Sequence, residues 1–130
     1  MNVHAVNDPK KFFEELGGLH DSRIEEVAFS SDDLRLQLKI SDLNSNFRGL
    51  PEYNGERPCL LIFRGVQDFF IDATPVEGVI IGNASIRKEI QFLVAEIYLN
   101  VGPGELSYKK SIGNIRVSFG SLVICDTPSA

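Results

Sequence analysis

The sequence predicts a mainly β (α+β) fold, an antiparallel β-sandwich or partly closed barrel of about seven or eight strands with one short N-terminal helix. Three observations carry this expectation. Residues 34–40, "LRLQLKI", alternate apolar and polar side chains with the period of two that a half-buried strand requires. Clusters of Gly, Pro, Asn, Asp and Ser punctuate a series of apolar stretches of strand length, the pattern of antiparallel connections. Helical punctuation is clear only at the start of the chain, around "NDPKKFFEELGG".

That first element is a helix of about two turns. Asp8 caps it, Pro9 takes the first helical position, where its missing N–H costs nothing, and Gly17 and Gly18 end it. Phe12, Phe13 and Leu16 share one side, so the helix is expected to lie on a larger body as a lid or plug, since isolated helices this short are marginal in water.

The chain then changes period. "RIEEVAFS" (23–30) and "LRLQLKI" form a hairpin through the turn-forming "SSDD", with Leu34, Leu36, Leu38 and Ile40 on one face. Ile24 and Val27 stand three apart instead of two, which predicts a bulge near Glu25 and Glu26. Both of those carboxylates are expected to reach water; a buried one would have a raised pKa. "CLLIFRGV" (59–66) reads as a strand apolar on both faces, and "DFFID" (68–72) either continues it through a bend at Gly65 or forms the next strand. Gly78 and Gly82 read as turns around a short strand. For "SIRKEIQFLVAEIYLN" (85–100), Ile86, Ile90, Leu93, Val94 and Ile97 fit a helical stripe, while Leu93, Ala95, Ile97 and Leu99 alternate. Its β-branched and aromatic content favours one long strand. In "SIGNIRVSFGSLVICD", Gly113 and Asn114 make a turn, Ile115, Val117 and Phe119 alternate, and Gly120 permits a bulge or bend that keeps Leu122 and Ile124 facing the core.

At 130 residues the chain suits a single domain, 1–130, with one sizeable core. Hydrophobic residues at 43% and charged residues at 24% are ordinary globular values, which speaks against disorder. The longest apolar run, "CLLIF", is far below the roughly 20 residues a membrane helix needs. The first residues lack the basic start and apolar stretch of a secretory signal, so cytoplasmic residence is expected. Cys59 and Cys125 lie in apolar segments without metal-ligand spacing and are expected as buried free thiols, a disulfide between them being the alternative.

The net charge of −5 and the scattering of basic residues argue against nucleic acid, whose phosphates call for a clustered positive face. They favour a partner with a basic surface. No metal or cofactor is expected. Histidine occurs only at His4, near the chain start, and at His20; no HxH or HExxH pair is present, and the glycines lack the GxGxxG spacing of a phosphate cradle.

His20, Asp21 and Ser22 are the residue types of a hydrolytic triad, yet adjacent residues of an extended chain point to opposite faces and cannot easily flank one imidazole. The simpler role is structural: Asp21 and Ser22 bond backbone groups where the chain leaves the helix for the sheet, with His20 on the rim. The long segment 41–58 is the candidate contact loop. Phe47, Arg48, Tyr53 and Arg57 are interface-type residues set among glycines, with Glu52 and Glu56 beside them.

The order of short helix, "LHDSRIEEV", "LRLQLKI", "LLIFRGV" and "GNIRVSFGSLVI" resembles that of small uncharacterised bacterial β-rich domains, some of them immunity-type proteins that accompany toxins. The resemblance implies a cytoplasmic protein that acts by binding, and it carries over no catalytic residue. The leading expectation is therefore a non-catalytic interaction domain, immunity-like, with His20, Asp21 and the six loop residues as its contacts. A small-molecule site inside the sandwich or barrel and a hydrolase-type enzyme using His20 are the alternatives. A sheet edge left unpaired would also allow a homodimer.

Overall fold

The computed structural model describes residues 3–15, 22–42, 59–73, 79–101 and 113–126. The described chain is mostly β. Its elements are β1 (Val3–Val6), α1 (Pro9–Glu15), β2 (Arg23–Ser30), β3 (Arg35–Asp42), β4 (Cys59–Arg64), β5 (Asp68–Ala73), β6 (Val79–Lys88), β7 (Leu93–Val101), β8 (Gly113–Phe119) and β9 (Ser121–Asp126). The strands make one antiparallel sheet in the order β1-β9-β4-β3-β2-β6-β7-β8-β5, which does not close into a barrel.

Two glycine corners explain how one sheet encloses a core. β4 pairs with β9 and β5 with β8, so a two-stranded ribbon runs through the bend at Gly65 and Gly120. The Gly120 N–H donates to the Arg64 carbonyl at 2.8 Å, and the Gln67 N–H donates to the Ser118 carbonyl at 2.8 Å. Gly65 has φ +65, a conformation that costs an L side chain about 1–2 kcal/mol. Beyond the bend the apolar sides of the two halves face each other: Leu36, Leu38, Ile40, Leu61 and Phe63 meet Ala95, Ile97, Ile115, Val117 and Phe119 in one cluster. The Phe63 and Phe119 rings pack edge to face at 4.9 Å across this interface.

Local irregularities follow from the need to keep apolar residues inward. β2 pairs with β3 with a register shift between Ile24 and Glu26, so Glu25 is the extra residue of the expected bulge. Gly82 belongs to a second bulge: the β6–β7 register shifts between Ile81 and Asn83, which lets Ile81 and Ala84, three apart, both face the core. Gly82 is thus inside a strand and not a turn. Helix α1 forms as its cap dictates, with the Lys11 N–H donating to Asp8 Oδ1 at 3.1 Å. Phe13, fully buried, plugs the cluster, and α1 packs on β6.

Three further sequence expectations are corrected, and one strand that the sequence did not announce is added. Segment 85–100 is not one long strand: β6 ends at Lys88, the Glu89 N–H donates to the Phe92 carbonyl at 2.9 Å, and β7 starts at Leu93. Ile90, wholly exposed at this tip, is the apolar residue that disguised the turn. Leu34 does not join Leu36, Leu38 and Ile40 on the core face; it sits in the hairpin turn with φ 48 and is half exposed. Gly113 and Asn114 begin β8 instead of turning before it. His4 lies in a strand, β1, paired with Ile124 of β9; that strand is too short and too exposed to announce itself by periodicity.

Candidate binding surface

The expected site residues divide between what is described and what is not. His20, Asp21, Phe47, Arg48, Glu52, Tyr53, Glu56 and Arg57 lie outside the described residues. Ser22 is described and is fully buried at the mouth of β2, where its carbonyl accepts the Ile81 N–H at 2.7 Å. That bond, with the single Arg23–Ile80 pairing, is where β2 joins β6. Ser22 therefore stands where β2 joins β6, while His20 and Asp21, the rest of the trio, lie outside the described residues.

Glu25 and Glu26 are both exposed at the bulge, and Glu25 lies 3.7 Å from the Lys39 ammonium. Cys59 and Cys125 are buried thiols that are not joined in a disulfide. Cys59 is registered with Asp126 and Leu60 with Cys125, so the two sulfurs project from opposite faces of the sheet and do not form a disulfide. Among the described residues no three His, Cys, Asp or Glu side chains gather as metal ligands. None of the described helices is long and apolar enough to cross a membrane.

The arrangement that stands out is a seam between β2 and β5. β2 leaves β6 after Arg23 and runs toward the other end of the strand order, where Phe29 meets Phe69 of β5 with ring centroids 4.8 Å apart. No backbone pairing joins β2 to β5 among the described residues. Val27 and Phe29 are registered with the buried Leu38 and Leu36, and Phe69 and Ile71 with the buried Val117 and Ile115. All four therefore point to the core side of the sheet. They nonetheless remain 36–43% exposed, and no described strand covers this margin.

On the opposite face of β5, Phe70 is registered with Arg116, whose guanidinium carbon lies 5.5 Å from the ring centroid. A polar row continues from there. Arg116 is registered with Glu96 of β7, and Glu96 accepts hydrogen bonds from Arg87 and from the Tyr98 hydroxyl, the latter at 3.0 Å. Arg87 also donates to Glu89 at 3.1 Å. The bonds from Arg87 and Tyr98, reinforced by the Arg87 and Arg116 charges, hold the Glu96 carboxyl below the usual glutamate range against a smaller opposing effect of burial. Its hydrogen bond to Glu96 raises the Tyr98 phenol. Arg87, Glu89, Glu96 and Tyr98 satisfy one another in a row that spans β6 and β7.

Phe29, Phe69, Phe70 and Ile71 were not among the sequence candidates. The available signal was "DFFID": three consecutive apolar residues in a strand put apolar side chains on both faces, and bracketing acids mark a segment that meets water. Comparison with protein-family models, with curated proteins and with solved structures gave no match, so the surface is read from its own geometry.

Proposed function

We propose that this chain is a non-catalytic binding module whose principal contact surface is the open seam between β2 and β5. One observation carries the reading: Val27, Phe29, Phe69 and Ile71 face the core side of their strands yet stay substantially exposed, with two of their rings in contact. Clustered apolar surface of this kind is a common mark of an interaction site. Arg87, Glu96 and Tyr98, whose ionisation departs from the ordinary, are engaged with each other, which fits a scaffold better than a reaction centre.

The net charge of −5 favours a partner with a basic surface, because opposite fields speed encounter and add specificity. An immunity-type role in a bacterial cytoplasm, neutralising a basic toxin, is the specific form of this proposal. Phe47, Arg48, Glu52, Tyr53, Glu56 and Arg57 form a second contact region within it. The test is affinity selection of a displayed random-peptide library on the wild type and on the Phe29→Ser/Phe69→Ser variant, with circular dichroism confirming that both are folded. Sequences enriched on the wild type and lost on the variant support the seam. Equal enrichment on both, or none on either, rejects it.

A further inference from the structure

We infer that β5 is a strand-addition site for an extended basic segment of a partner protein, with cationic side chains at its first and fifth positions and apolar ones at its second and fourth. The inference rests on the binding reading above and specifies its partner. β5 ends the strand order, so β8 covers one of its edges and no described strand covers the other. Along such an edge alternate backbone N–H and C=O groups are available to a new strand.

The side chains of β5 state what that strand must carry. Asp68, Phe70 and Asp72 share the outer face, and Phe69 and Ile71 share the seam face. Asp68 and Asp72 are exposed, and neither is ion-paired among the described residues. They stand about 13 Å apart at ordinary strand rise, the spacing of the first and fifth residues of an incoming strand. Directly opposed unlike charges stabilise a strand pair and like charges destabilise it. Phe70 already has Arg116 near its ring, so the middle residue of the incoming strand is best neutral and aromatic.

The same geometry disfavours a second copy of this chain at β5. A twofold axis through Phe70 gives full overlap of the two strands and sets Asp68 against the second copy's Asp72, twice. Sliding by two residues in either direction sets one of these carboxylates against Phe70 instead.

Three serine-flanked synthetic peptides test the inference by fluorescence anisotropy: Lys-Val-Tyr-Val-Lys, its Glu-Val-Tyr-Val-Glu counterpart, and the basic peptide N-methylated at alternate residues. Each is titrated against the wild type, the Asp68→Asn/Asp72→Asn variant and the Phe29→Ser variant, and sedimentation velocity reports self-association. The expected result is that the basic peptide binds about tenfold more tightly than the acidic one, that N-methylation abolishes binding, and that the Asn variant removes the preference. Equal binding of basic and acidic peptides, lost in Phe29→Ser, overturns the charge-matched edge while leaving the apolar seam standing. Binding of none of the peptides overturns the inference alone, since library selection decides the seam separately. Wild-type dimerisation that is abolished by Phe70→Asp, which sets carboxylate against carboxylate in each of these registers, overturns it in favour of a second copy.

Discussion

The Phe29 and Phe69 rings lie 4.8 Å apart, although β2 and β5 share no backbone pairing among the described residues. Side chains alone hold the seam where a closed barrel would have a hydrogen-bonded ladder. The rings are 43% and 38% exposed, so Phe69→Ala is expected to cost about 1 kcal/mol, the scale of one aromatic pair with partial burial. Phe63→Ala, which empties a fully buried site against Phe119, is expected to cost about 3–5 kcal/mol. Urea unfolding of the two variants checks the contrast, and equal losses would mean that the seam is a true part of the core.

The two positive-φ positions beside the corner predict opposite effects. Leu34 adopts φ 48 with its side chain half exposed, while its carbonyl, which accepts the Val66 N–H at 2.9 Å, does not depend on the side chain. Leu34→Gly is therefore expected to raise stability by up to about 1 kcal/mol, less the entropy that glycine adds to the unfolded chain. Gly65→Ala, at φ +65, is expected to lower it by about 1–2 kcal/mol. Thermal melts of both variants settle the signs.

Glu96 gives the outer row a pH dependence. Its carboxyl is held below the ordinary value of 4.5 by the bonds from Arg87 and Tyr98, so the stability it contributes is fully present above that value. It is lost as pH falls from there through the lowered folded value. Glu96→Gln is expected to be less stable than the wild type by about 1 kcal/mol near neutral pH, and the gap is expected to close in acid. Paired unfolding curves across pH 2–7, of the order of that titration range, measure it; a gap that stays constant would show that the carboxylate charge is idle.

Cys59 and Cys125 predict an absence of cross-linking. Both are buried, and their side chains leave opposite faces of the sheet. Mild oxidation of the native protein is expected to produce no intramolecular disulfide, and alkylation is expected to modify both thiols only after unfolding. Mass spectrometry distinguishes these states, and a cross-linked native species would contradict the β4–β9 register.

Legibility in the sequence tracked how locally each feature is encoded. The capped helix, the "LRLQLKI" strand and the slip at Glu25 were readable because each depends on neighbours within a few residues: a cap, a period of two, a break in that period. The bends at Gly65 and Gly120 were readable as permitted bends. The turn at Ile90 was hidden by an apolar residue at a fully exposed tip, and β1 by its brevity. The seam was not legible because Phe29 and Phe69 are 40 positions apart and each, within its own strand, has the appearance of an ordinary core residue.

By itself the sequence determined that the chain is an antiparallel β structure with a short capped helix, since alternation and turn chemistry act through the local backbone. Only the tertiary structure decided that the sheet folds through two glycine corners and stops short of closing. Closure is a property of where distant strand edges meet, and no local period encodes that distance. The same global geometry leaves Val27, Phe29, Phe69 and Ile71 at a margin that no described strand covers and turns inward-facing strand residues into a surface.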